Sequence, residues 1–117
     1  AFYTRSSGFR VDYRMDTPDE IASLIHMKSE LGLDGGILVT NPIPEEYSVD
    51  PDVINKAINE AVEEAKKRGI AGKETTTFLL QKVKELTAGS SLDANIELVY
   101  NNVRLASKIA AELSKMG

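Results

Sequence analysis

The chain has 117 residues, 18 acidic against 14 basic side chains, a formal net charge of −4, and no cysteine. That length suits one domain with one hydrophobic core. The acidic balance and the absence of any basic run beyond Lys66-Lys67-Arg68 argue against a nucleic-acid partner, and the lack of thiols excludes disulfides, cysteine nucleophiles and cysteine metal sites.

No apolar run approaches a membrane span, and no signal-peptide pattern opens the chain, so the expected location is the cytoplasm. The opening Ala1-Phe2-Tyr3-Thr4-Arg5 does not resemble a normal translation start. It suggests further sequence upstream.

Phe9, Val11 and Tyr13 alternate with charged residues, the pattern of a short, half-exposed edge strand over Phe9 to Arg14. Thr17-Pro18-Asp19-Glu20 then reads as a helix start. Threonine caps the end, proline fits the first helical position, and Glu20 completes a capping box. Ile21, Leu24, Ile25 and Leu31 follow at helical spacing, and Gly32 stands where a left-handed cap is wanted. The predicted helix runs from 18 to about 31.

Gly35-Gly36 leads into Ile37-Leu38-Val39, too short for a helix and too uniformly apolar for an exposed strand. A buried central strand is expected there. Thr40 to Glu46, TNPIPEE, stops it, because each proline fixes φ, removes a donor and restricts the preceding residue. Asp50-Pro51 opens a second helix with an alanine-rich stripe of Val53, Ile54, Ala57, Ile58, Ala61, Val62 and Ala65, ended by Gly69. A third helix, starting among Thr75 to Thr77, carries Phe78, Leu79, Val83 and Leu86. The fourth and longest starts at Ser90 or Ser91 and carries Leu92, Ile96, Val99, Val103, Ala106, Ile109, Ala110 and Leu113. Four helices and two strands give an α/β class. Two strands do not make a sheet core alone, so the chain reads as incomplete.

Most candidate site residues have ordinary readings. His26, the only histidine, borders an apolar stripe and lacks partners for acid–base or metal work. Glu60, Glu63 and Glu64 lie on a solvent face of the second helix. Glu45 and Glu46 follow a strand end, where α/β sheets place ligand loops. The Gly32, Gly35, Gly36 group precedes a strand and so is not a phosphate loop. Lys73 and Thr75 to Thr77 suit either an anion or plain helix capping, with capping the better reading. Asn95, Asn101 and Asn102 are unusual on a helix. Asn95 suits either the edge of a nucleobase or a backbone group, and spacing leaves the two open.

Five segments in order, AFYTRSSGF, VDYRMDTPDEIA, GLDGGILVTNPIPEE, AINEAVEEAKKRGIAGKETTTFLL and KVKELTAGSSLDANIELVYNNVRLASKIA, carry a further signal. Together they resemble the C-terminal portion of the pseudouridine-5'-phosphate glycosidases, also called the indigoidine synthase A-like family. Thr77 stands where the family usually has proline, and Thr40 where alanine often precedes the asparagine.

The resemblance implies that residues 1–117 are the C-terminal part of one α/β/α layered domain. It implies reversible cleavage of pseudouridine 5'-phosphate to uracil and ribose 5-phosphate through a lysine Schiff base, with a divalent metal such as manganese (Mn2+). The family's lysine, acid glutamate and metal-binding aspartate lie upstream of the matched region, so no catalytic residue and no metal ligand is expected in this chain. Asn95 matches the asparagine that contacts the base. Asn41, Lys73 and Thr76 fall in matching motifs, as pocket-lining or structural residues. Family members are typically homotrimers, and a missing N-terminal portion and a small-molecule substrate are the implied partners. The alternative is a non-catalytic α/β interaction or regulatory module that keeps the fold.

Overall fold

The computed structural model describes residues 2–117. Its helices are α1 (Pro18–Glu30), α2 (Pro51–Arg68), α3 (Glu74–Leu86) and α4 (Ser90–Ser114), with a single 3-10 turn at Glu45–Tyr47 between α1 and α2. The chain divides into two compact units, one made of Ala1–Ser7 with Pro42–Leu98, the other of Gly8–Asn41 with Val99–Gly117.

The first unit holds the larger core. On α2, Ile54, Ala57, Ala61 and Ala65 are buried in one stripe, and the small alanines let a neighbouring helix approach closely. Val83 of α3 and Ala94 and Leu98 of α4 join them, together with Tyr3 and Ile43. Ile43 lies between the two prolines of TNPIPEE and is fully buried, so the stiff loop acts as a wedge into the core. The loop is tied to the start of the chain: the Val49 N–H donates to the Tyr3 carbonyl at 2.8 Å, and Arg5 Nη1 donates to the Ile43 carbonyl at 3.2 Å.

The helix boundaries follow local chemistry. Asp50 Oδ1 accepts the Asp52 N–H at 2.8 Å at the head of α2, and Gly69 closes it with φ 66°. At α3 the closing residue is not glycine. Ala88 takes φ 51°, its N–H reaching Glu85 O and the Gly89 N–H reaching Lys84 O, the paired bonds of a Schellman stop. Between α2 and α3, Glu64 receives Lys82 Nζ at 2.8 Å and also pairs with Arg68, whose guanidinium lies 5.5 Å from the Phe78 ring centre.

In the second unit, Ile21 and Ala22 of α1 are buried. Glu20 Oε2 accepts the Thr17 N–H at 3.0 Å, as the capping box requires. Lys28 Nζ donates to the carbonyls of Leu33, Asp34 and Gly35 at 2.6–2.8 Å, fixing the turn after α1.

Two expectations need correction. No strand occurs among the described residues, so the two expected strands, and the α/β class built on them, are not seen in this chain. Phe9 is 91% exposed and Leu38 88%, and among the described residues neither Phe9 to Arg14 nor Ile37 to Val39 forms a strand. A strand exists only through a neighbouring strand that takes its N–H and C=O groups, and no strand ladder forms among the described residues. The core face of α4 also differs. Ser91, Ala94 and Leu98 point inward, while Leu92, Ile96, Val99 and Val103 are exposed. The helix carries apolar residues on two faces, and of these Ala94 and Leu98 join Ile54, Ala57, Ala61 and Val83 in the core.

Candidate substrate groove

On α3, Thr77, Leu80, Gln81 and Lys84 recur at helical spacing and share one face. On α4, Ser91, Leu92 and Asn95 do the same one turn apart. With Tyr3 they line an open groove of about 300 Å³ in the first unit. Its walls combine an aromatic ring and two leucines with hydroxyls, two amides and one ammonium. That mixture suits a flat ring with both donors and acceptors on its edge.

Asn95 is half-buried. Asn95 lines the groove, and among the described residues none takes its side-chain amide, whose one carbonyl acceptor and two N–H donors are left unpaired. Burial pushes the Tyr3 phenol above its ordinary value of 10.0, so at neutral pH the hydroxyl is uncharged and can donate. Its ring meets Phe2 edge-on at 4.8 Å, which fixes its plane.

Behind the groove sits a buried polar pair. Thr87 Oγ1 donates to the Val83 carbonyl at 2.7 Å, accepts the Ser91 N–H at 3.3 Å and is hydrogen-bonded to Ser91 Oγ at 2.9 Å. Thr87 is 8% exposed and Ser91 2%.

The other residues singled out in the sequence lie elsewhere. Asn41 donates to Asn102 in the second unit. Lys73 and Thr76 are exposed at the start of α3 and do not line the groove, although Thr77 does. Glu45 and Glu46 are exposed in the 3-10 turn. His26 is half-buried on α1. Sequence reasoning missed Tyr3, Gln81, Lys84, Thr87 and Ser91. The available signal was the spacing of Thr77, Gln81 and Lys84, which places three polar residues on one face of an amphipathic helix. Among the described residues no three histidine or acidic side chains converge on a point that could hold a metal ion. No helix is long and apolar enough to cross a membrane.

The family model described as indigoidine synthase A like protein matches residues 1–112. The chain belongs to the indigoidine synthase A-like family. Within this family it is 63% identical over 116 residues to a protein of Clostridium botulinum named pseudouridine-5'-phosphate glycosidase. It is 59% identical over 116 residues to one of the same name from Caldanaerobacter subterraneus subsp. tengcongensis. Each alignment covers 99% of this chain and 38% of the relative, so the chain spans under two fifths of the length of these family members. Among solved structures it is similar to the prealnumycin C-glycosynthase AlnA in complex with ribulose 5-phosphate, with a TM-score of 0.82 and 28% identity, covering 99% of this chain and 38% of that one. The fold of this family member is thus shared across the whole of the present chain.

Proposed function

We propose that this chain is the base-side portion of a pseudouridine-5'-phosphate glycosidase, an enzyme that reversibly splits the carbon–carbon glycosidic bond to give uracil and ribose 5-phosphate. The observation that carries the reading is the unpartnered amide of Asn95 in the groove. The names of the relatives and the carbon–carbon chemistry in the name of the solved neighbour support it.

An asparagine amide matches the uracil edge atom for atom. Its carbonyl accepts a ring N–H while its NH2 donates to the adjacent ring carbonyl, and the leucines and Tyr3 flank the ring. A carbon leaving group cannot depart after protonation of a glycosidic oxygen, so a lysine Schiff base outside these 117 residues serves as electron sink. In cleavage a proton returns to the base carbon, water is consumed, and the sugar leaves as ribose 5-phosphate. The chain's own part is to hold the base in plane while this occurs. A divalent metal, manganese in this proposal, is held outside the chain and supplies charge stabilisation when bound. Among the described residues no three histidine or acidic side chains gather at one point. The complete enzyme acts in the cytoplasm as a homotrimer with an α/β/α fold, in which Ile37 to Val39 becomes a strand once the rest of the protein supplies its neighbours.

The test is condensation of uracil with ribose 5-phosphate by the longer protein that contains this chain, with manganese present. Formation of pseudouridine 5'-phosphate is expected from the longer protein and not from residues 1–117 alone. Absence of product from a folded longer protein would favour an interaction module instead.

A further inference from the structure

Among the described residues the buried Thr87–Ser91 pair bonds only to the last turns of α3 and the first turn of α4, and its Ser91 lines the groove. Thr87 closes α3 and Ser91 lies in the first turn of α4. Two bonds join them, and a third anchors Thr87 to Val83 in the core. Ser90 Oγ donates to the Thr87 carbonyl at 2.9 Å, so both serines of the junction converge on one residue. The backbone between them is strained, because Ala88 carries φ 51°. An ordinary helix-to-helix connection needs neither two buried hydroxyls nor a left-handed alanine.

Asn95 is four residues after Ser91 on the same continuous helix, so its backbone N–H hydrogen-bonds to the Ser91 carbonyl. Both side chains line the groove. A displacement of Ser91 is therefore a displacement of the turn that bears Asn95. An amide that must meet two atoms of a flat base tolerates little movement, since hydrogen bonds weaken steeply with angle.

We infer that Thr87 and Ser91 are positioning residues for Asn95: their buried hydroxyls lock the first turn of α4 onto the end of α3 and so set the angle at which the Asn95 amide meets the base. This deepens the proposed function and rests on its assignment of Asn95 as the base contact.

The experiment measures synthesis by the longer protein with manganese, taking KM for uracil, KM for ribose 5-phosphate and kcat separately. The variants are Thr87→Val, Thr87→Ser, Ser91→Ala, Asn95→Ala and the double variant Thr87→Val with Asn95→Ala. Thr87→Val keeps the shape and removes the hydroxyl. It is expected to raise KM for uracil about five- to tenfold, the size of one impaired hydrogen bond, with KM for ribose 5-phosphate unchanged. Thr87→Ser restores the hydroxyl and is expected to return KM for uracil to near its original value. In the Asn95→Ala background, Thr87→Val adds nothing further to KM for uracil.

A merely structural role would lower thermal stability and the active fraction while sparing both KM values, and that result overturns the inference. So does a Thr87→Val effect that persists undiminished in the Asn95→Ala background. If Asn95→Ala impairs uracil use but Thr87→Val and Ser91→Ala do not, the positioning role falls and the base contact stands. If Asn95→Ala itself leaves uracil use intact, the assignment of Asn95 falls and the positioning role with it. Should Thr87→Val not fold, Ser91→Ala carries the same comparisons, since it removes the bond between the two hydroxyls while leaving the Ser91 N–H bond to Thr87 Oγ1 in place.

Discussion

Asn41 donates from Nδ2 to Asn102 Oδ1 at 3.0 Å, although 61 positions separate them in the chain. The bond fastens the residue just before Pro42 to the second half of α4. It distinguishes the asparagines by what their amides do: those of Asn41 and Asn102 engage each other, and that of Asn95 is left to the groove. Because Asn102 is exposed, the bond competes with water and contributes modestly. The single variants Asn41→Ala and Asn102→Ala in the longer protein are expected to be less than additive. Denaturant unfolding of the singles and the double should give a coupling of about 0.5–1 kcal/mol.

Ala88 offers a change that should stabilise. A left-handed alanine costs on the order of 1–2 kcal/mol, whereas glycine adopts the conformation freely but loses about 0.5–1 kcal/mol of extra chain entropy on folding. A Cβ placed at the neighbouring Gly89 would meet no atom within 4 Å, so the junction has room. Ala88→Gly is therefore expected to raise stability by about 0.5–1 kcal/mol, read as an increase in Tm.

Much of this architecture was legible in the sequence, and the reason is local chemistry. Thr17-Pro18 and Asp50-Pro51 announce helix starts, and Gly32 and Gly69 announce stops, because caps depend on a few adjacent residues. The apolar face of α4 was not legible. Leu92, Ile96, Val99 and Val103 form a stripe as regular as the one that is buried, and only the helices packed against α4 decide between them. Ile37 to Val39 failed for a related reason: a strand is a relation between segments, and no segment pairs with it as a strand among the described residues. Asn95 was reached through family resemblance. Tyr3 gave no signal, being a residue type common at any core edge, and Gln81 and Lys84 offered only the helix face they share with Thr77. The Thr87–Ser91 pair shows why: a serine in a helix reads as surface until the hydroxyl that meets it is known.

The bridge between α2 and α3 carries a pH signature. The Lys82 hydrogen bond, with the charges of Arg68 and Lys82, holds the Glu64 carboxyl below its ordinary value of 4.5 despite some opposing desolvation. A carboxyl depressed in the folded state binds fewer protons there than in the unfolded chain. Its contribution is therefore complete above pH 4.5 and fades as pH falls through the folded value. Glu64→Gln should lower Tm at neutral pH, and the gap from the parent should close in acid. A gap of constant size across that range would contradict the assignment.

The central proposed role is that of Asn95 at the base. Its most direct test is Asn95→Ala in the longer protein with manganese, comparing KM for uracil with thermal stability. Removal of an amide that makes two bonds to the ring should raise KM for uracil roughly 10- to 100-fold while Tm stays nearly constant, because the half-buried amide supports no other residue of the groove. An unchanged KM for uracil, or a fall in Tm that accounts for all of the lost activity, would contradict it.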